Sequence, residues 1–138
     1  MSANPILLVE DNPDDEALIL RSLERANLAN EVLVARDGAA ALDLLLGTED
    51  GPLPSVVLLD LMLPKLNGFE VLERLRDNPR TKLLPVVILT SSDEQEDLVR
   101  SYQLGVNSYI RKPIQFAEFS KAVSTLGLYW ALLNRVPR

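Results

Sequence analysis

The sequence predicts an α/β fold: a doubly wound sandwich with a central five-stranded parallel sheet, helices on both faces and an extended C-terminal helix. Three observations predict it. Short apolar runs alternate with stretches of helical length, five times in order. The main apolar runs are continuous, as expected of strands buried on both faces. Polar groups close four of them: Glu10-Asp11, Asp60, Thr90 and Lys112. In an open parallel sheet such positions share one edge, where ligands bind beyond the carboxyl ends of the strands.

The elements follow in order. Residues 5–10 read as the first strand, and Asn12-Pro13 as an N-cap with proline at the first helical position. The helix runs to about Ala26, with Leu18, Leu20 and Leu23 on its apolar face. Residues 31–35 are a shorter strand, and Asp37-Gly38 opens a second helix ending at Gly47. Residues 48–54, with Gly51, Pro52 and Pro54, are a loop leading to the third strand at 55–60. Pro64 and Gly68 mark a stiff loop before a helix at 68–76, whose apolar residues are Phe69, Val71, Leu72 and Leu75. Residues 78–84 form a loop, 85–90 the fourth strand and 93–104 a helix with Gly105 as its C-cap. A short fifth strand at 108–110 precedes a last helix from Gln115 to about Leu133.

Composition narrows the functions. With 138 residues, the chain is expected to be one domain spanning 1–138. A net charge of −6 disfavours nucleic-acid binding, which needs a basic footprint. With no cysteine and no histidine, the chain has no thiol nucleophile, no histidine triad and no histidine metal ligand. No basic, apolar leader and no run of membrane length is present, so a soluble cytoplasmic protein is expected, with no membrane partner.

Each strand-end residue has a plain and a chemical reading. Glu10-Asp11 could simply cap the following helix, since acids favour helix N-termini. Equally, two adjacent carboxylates attract a cation, and hard oxygen ligands suit Mg²⁺. Asp60 could start a turn, or it could attack phosphorus and form an acyl phosphate. Thr90 is either an ordinary β-branched strand residue or a hydroxyl donor to a phosphoryl oxygen. Lys112 is either a surface lysine or a point charge for Asp60 and a phosphoryl group. A cis bond to Pro113 would aim it back into the site. The joint occurrence favours the chemical set.

At this point the chain resembles, over nearly its whole length, the receiver domain of bacterial two-component response regulators, the CheY-like family with a flavodoxin-like fold. The resemblance rests on Leu8-Val9-Glu10-Asp11, on residues 58–64 with Asn67-Gly68, on residues 85–91 and on Tyr109-Ile110-Arg111-Lys112-Pro113. It implies that Asp60 accepts phosphate from a kinase phosphohistidine. The Mg²⁺ would be held by Asp11, Asp60 and the Met62 backbone carbonyl, with Glu10 acting through water. Thr90 and Lys112 would hold the phosphoryl oxygens. Tyr109 would swing inward as Thr90 moves, altering the face made by the fourth helix, fifth strand and fifth helix. Ser91 is small, as access to the phosphoryl group requires. Two residues depart from the commonest pattern: Glu10 stands where aspartate is frequent, and Asn67 where aspartate is common before Gly68. Residues 101–113, continued through Phe116, Phe119 and Gly127-Leu128-Tyr129-Trp130, are similar to small single-domain regulators that partner bacterial phytochromes. A sensor histidine kinase, and a bacterial phytochrome in particular, is the partner the resemblance implies.

Phe116, Phe119, Val123, Leu126, Trp130 and Leu133 form an apolar stripe stepping by three and four. Leu128, Tyr129 and Leu132 widen it beyond what the sheet can cover. A homodimer contact through this helix is expected; packing onto the domain's own core is the alternative. The expected function is a phosphorylation-dependent switch, not an enzyme, because the chain ends at Arg138 without an output domain. The alternatives are a phosphorelay intermediate or phosphate sink, a docking module, and an aspartyl-phosphate phosphatase. The phosphatase is disfavoured because Met62 stands where such enzymes of the haloacid dehalogenase type place a second aspartate.

Overall fold

The strands are short, and all but the second and fifth are buried along their length. The computed structural model describes residues 4–25, 30–47 and 53–134, with 126–134 by backbone alone. In chain order the elements are β1 (Ile6–Val9), α1 (Pro13–Arg25), β2 (Val32–Ala35), α2 (Gly38–Leu46), β3 (Val56–Leu59), α3 (Gly68–Asp77), β4 (Val86–Thr90), α4 (Gln95–Gln103), β5 (Ser108–Arg111) and α5 (Phe116–Asn134). The strands form one parallel sheet in the order β2-β1-β3-β4-β5. Chain order and spatial order part at β1, which lies between β2 and β3. That is the switch point, and it places the ends of β1 and β3 side by side, with Val9 opposite Leu59.

Period-two alternation divides the apolar residues of the sheet between two cores. Leu7, Val9, Val57, Leu59 and Ile88 face α2 and α3, against Ala41, Leu45, Val71, Leu72 and Leu75. Ile6, Leu8, Leu58, Val87 and Leu89 face α1 and α5, against Ile19, Leu23, Phe119 and Val123. The doubly wound architecture is therefore as the sequence predicts. One face differs in detail. On α1 the buried residues are Ile19 and Leu23, Leu20 is only partly covered, and Leu18 is 37% exposed. Positions 19 and 23 lie one helical turn apart on the sheet-facing stripe, and Leu18 falls beside it.

Local chemistry sets the helix starts. Asn12 Oδ1 accepts from the backbone N–H of Asp14 and Asp15, at 2.9 and 3.0 Å. Asp37 caps α2 through the N–H of Ala40, which holds its carboxyl below the usual aspartate range. Asn67 caps α3 by accepting from Glu70 N–H at 3.0 Å, a role that aspartate would fill equally well. Gly105 follows α4 at φ 78°, a left-handed conformation that glycine adopts without cost. Glu94 precedes α4 without a side-chain cap, and the helix starts at Gln95, later than the sequence suggests.

Arg76 joins elements that the sequence keeps apart. Its guanidinium donates to the carbonyls of Leu104 (2.6 Å), Leu84 (2.9 Å), Lys82 (3.0 Å) and Gly105 (3.0 Å), with a longer contact to Thr81. It thereby ties the end of α3 to the segments that precede β4 and β5. In α5, Phe119 and Val123 are buried, and the Arg25 guanidinium lies 3.7 Å over the Phe116 ring. The side chains of Leu126, Leu128, Tyr129, Trp130, Leu132 and Leu133, on which the expected dimer contact depends, lie outside the described residues. None of the helices searched among the described residues is long and apolar enough to cross a membrane.

Candidate functional site

The carboxyl edge of the sheet brings four strand ends together. Glu10 and Asp60 each lie one residue past β1 and β3, Thr90 is the last residue of β4, and Lys112 follows β5. Hydrogen bonds between the strand ends fix their relative heights: Asp60 N–H donates to the Val9 carbonyl at 3.1 Å, and Lys112 N–H to the Thr90 carbonyl at 2.8 Å. The Lys112–Pro113 peptide bond is cis, as the sequence reading allows.

Asp60 owes its position to its neighbours. Gly68 N–H donates to the Leu61 carbonyl at 3.0 Å. A Cβ at position 68 would stand 2.4 Å from the Asp60 carbonyl oxygen and 2.5 Å from the Leu61 Cα, so only glycine lets α3 start this close to the strand end. The side chain of Asp60 then accepts at Oδ1 from Met62 N–H, at 2.9 Å.

Lys112 organises the charges. Its ammonium contacts Glu10 Oε1 at 2.7 Å, Asp15 Oδ2 at 2.8 Å and Asp60 Oδ2 at 2.9 Å. Glu10 and Asp60 are almost closed to solvent, with side chains 1% and 5% exposed. Burial is the chief reason that the Glu10 carboxyl is pushed up to about 7. The charge of Asp60 adds to the push, and the hydrogen bond from Lys112 opposes it. For Lys112, burial would favour the neutral amine, but the bonds to Asp15, Glu10 and Asp60 outweigh it and hold the ammonium above its ordinary value. Lys112 is thus a fixed cation.

The carboxylates of Glu10, Asp11 and Asp60 each offer an oxygen, and these oxygens lie within 4.8 Å of one another. A wholly oxygen donor set with two buried members fits a small hard cation. Thr90 is fully buried, and its Oγ1 accepts from Ser92 N–H at 3.3 Å. Tyr109 on β5 is half-buried, packs against the core beneath α2 and α3, and donates its hydroxyl to the Ser92 carbonyl at 3.3 Å. Burial raises its phenol above the ordinary value. Thr90 and Tyr109 thus meet at one residue, Ser92.

The structure therefore unites Glu10, Asp11, Asp60 and Lys112, with Thr90 closing the neighbouring strand. Met62 joins the site through its N–H bond to Asp60, while its side chain is mostly exposed. One participant escapes the sequence reading. Asp15 reads as one more acid in a helix N-terminus, yet it contacts Lys112. Ser92, beside the site, touches Thr90, Tyr109 and Asp97.

A parallel five-stranded sheet carrying an acidic cluster beside a half-buried lysine is a doubly wound domain with a candidate cation site at its carboxyl edge. The response regulator receiver domain model matches residues 6–124, and the chain belongs to that family. It is 45% identical over 134 residues to the probable methanogenesis regulatory protein FilR2 of Methanothrix harundinacea, covering 96% of this chain and 86% of that protein. It is 39% identical over 128 residues to response regulator Rcp1 of Synechocystis sp., covering 91% and 87%. Among solved structures, the bacteriophytochrome response regulator AtBRR shares 54% identity with a TM-score of 0.81, covering 98% of this chain and all of that one. The Mn²⁺-bound form of Rcp1 shares 38% identity with a TM-score of 0.78, covering 97% of each chain. The protein acts in phosphorylation-dependent two-component signalling, with Mg²⁺ as its cofactor and a histidine kinase as its class of partner.

Proposed function

We propose that residues 1–138 form one receiver domain in which Asp60 is the phosphoacceptor. A carboxylate oxygen of Asp60 attacks the phosphorus of a kinase phosphohistidine. The P–N bond breaks, its electron pair returns to the imidazole nitrogen, and an acyl phosphate forms on Asp60. The phosphohistidine belongs to the partner, because this chain has no histidine. Asp11, Asp60 and the Met62 carbonyl would hold Mg²⁺, with Glu10 acting through water. When bound, Mg²⁺ offsets the anionic charge that otherwise keeps carboxylate and phosphoryl group apart. Lys112 and Thr90 receive the phosphoryl oxygens. The observation that carries this reading is the meeting of the three carboxylates within 4.8 Å, with Lys112 Nζ 2.9 Å from Asp60 Oδ2. The output is protein contact; turnover of a small phosphate ester has no second aspartate at Met62 to support it.

The switch runs from Thr90 through Ser92 to Tyr109. A charge-assisted bond to the phosphoryl group, worth about 1.5–3 kcal/mol, is enough to bias two states a few kcal/mol apart. Thr90→Ala should therefore accept phosphate from acetyl phosphate and Mg²⁺ yet lose the conformational response. Amide exchange over residues 105–112 reads it: equal changes in wild type and variant on phosphorylation would defeat the switch.

Likeness to AtBRR supports a bacterial phytochrome as the kinase. A symmetric homodimer through α5 (Phe116–Asn134) is also proposed, on the apolar residues that the sequence places along it. Trp130 is the sole tryptophan, so its emission should move to the red on dilution, at the concentration where sedimentation shows dissociation. A protein that sediments as a monomer throughout, phosphorylated or not, removes the dimer.

A further inference from the structure

The Lys112 ammonium donates to Glu10 Oε1 and Asp60 Oδ2, at 2.7 and 2.9 Å, and forms an ion pair with Asp15 Oδ2 at 2.8 Å. Glu10 and Asp60 belong to the cation and phosphoryl site. Asp15 does not; it comes from the first turn of α1. Its position is nevertheless built in, because Pro13 opens the helix and Asn12 Oδ1 accepts from the Asp15 backbone N–H. Asp15 is also the most accessible of the three partners, at 29% exposure against 1% and 5%.

A phosphoryl oxygen that approaches Lys112 therefore competes with these carboxylates for the ammonium. Glu10 is nearly closed to solvent, so bulk water does not readily replace the ammonium there. Asp15 can exchange the ammonium for water at little cost. We propose that Asp15 is an electrostatic brake on phosphorylation. It competes with the phosphoryl oxygens for Lys112 and adds a fourth carboxylate to a site that must admit an anion. Asp15 is a positioning residue: it acts through Lys112 and does not touch the reacting atoms. The inference rests on the reading of Asp60 as phosphoacceptor and Lys112 as its phosphoryl partner.

The sign of the effect separates this role from a structural one. Removing an acid from the first turn weakens a helix, so a purely structural Asp15 gives a variant no faster than wild type. The brake predicts a gain. Asp15→Asn should take up the phosphoryl group of acetyl phosphate, with Mg²⁺ present, about three- to tenfold faster than wild type at low ionic strength. The gap should narrow as salt is raised, because the interaction is partly screened. Asp15→Glu, which keeps the charge, should stay near the wild-type rate. Uptake is followed by intact mass. An Asp15→Asn rate equal to or below wild type, or a gain that salt leaves unchanged, overturns the brake. The double variant with Asp60→Asn keeps the two readings apart. Uptake that persists there defeats Asp60 as acceptor, whereas Asp60-dependent uptake with no gain from Asp15→Asn defeats the brake alone.

Discussion

Asp60→Asn is expected to abolish phosphoryl acceptance, with uptake from acetyl phosphate and Mg²⁺ at least about a thousandfold slower than wild type. The amide keeps the size and shape of the side chain, and an acceptor oxygen for Met62 N–H. What it loses is the nucleophile. An amide oxygen is a poor nucleophile, and attack by it leaves a cation to be neutralised. The change also removes one of the three carboxylates of the cation cluster, so Mg²⁺ should bind more weakly. The fold should be retained, because the backbone bonds from Asp60 N–H to Val9 and from Gly68 N–H to Leu61 do not involve the side chain. Intact mass measures the uptake, and lability to hydroxylamine identifies an acyl phosphate. A variant that takes up hydroxylamine-labile phosphate at the wild-type rate would remove Asp60 from its role.

The largest loss of stability is expected at a residue far from the chemistry. Arg76→Ala should cost about 3–5 kcal/mol, read as a lower urea midpoint at unchanged slope. The side chain is half-buried, and burial lowers its proton affinity, yet a guanidinium stays charged. Its donors serve carbonyls from the segments before β4 and β5. Truncation leaves several of these acceptors, in part shielded from water, without a donor. Lysine cannot reproduce the fork, so Arg76→Lys should recover only part of the loss. These segments lie at the amino edge of the sheet, opposite Asp60. Well below its melting temperature, Arg76→Ala should therefore take up phosphate at close to the wild-type rate. A midpoint within experimental error of wild type would show that the carbonyls find other donors.

The sheet was legible in the sequence because its strands are continuous apolar runs bounded by proline, glycine and acids. Five such runs in alternation with helices leave few topologies. Glu10, Asp11, Asp60, Thr90 and Lys112 were legible because strand ends in a parallel sheet share an edge, so sequence position alone places them together. Arg76 was not. On α3 it looks like any arginine opposite an apolar face, and its acceptors are loop carbonyls, which carry no residue signature. Asp15 was hidden by a competing explanation, since acids at a helix N-terminus need no further reason. Leu18 reads as part of the apolar face because leucine counts as apolar wherever it falls; the rotation of α1, set by packing of Ile19 and Leu23, leaves it 37% exposed. Asn67 shows the reverse case. Its cap on Glu70 N–H is local, and spacing to Gly68 could have suggested it.

Chemical trapping of the phosphorylated residue tests the central claim most directly. The protein is phosphorylated by its kinase or by acetyl phosphate with Mg²⁺, then reduced with borohydride, which converts an aspartyl phosphate to homoserine. Peptide sequencing by mass spectrometry then locates the product. The account predicts homoserine at position 60 and at no other carboxylate. Homoserine at position 11 or 15 with aspartate intact at 60, or a borohydride-resistant phosphoester on serine, threonine or tyrosine, would contradict it.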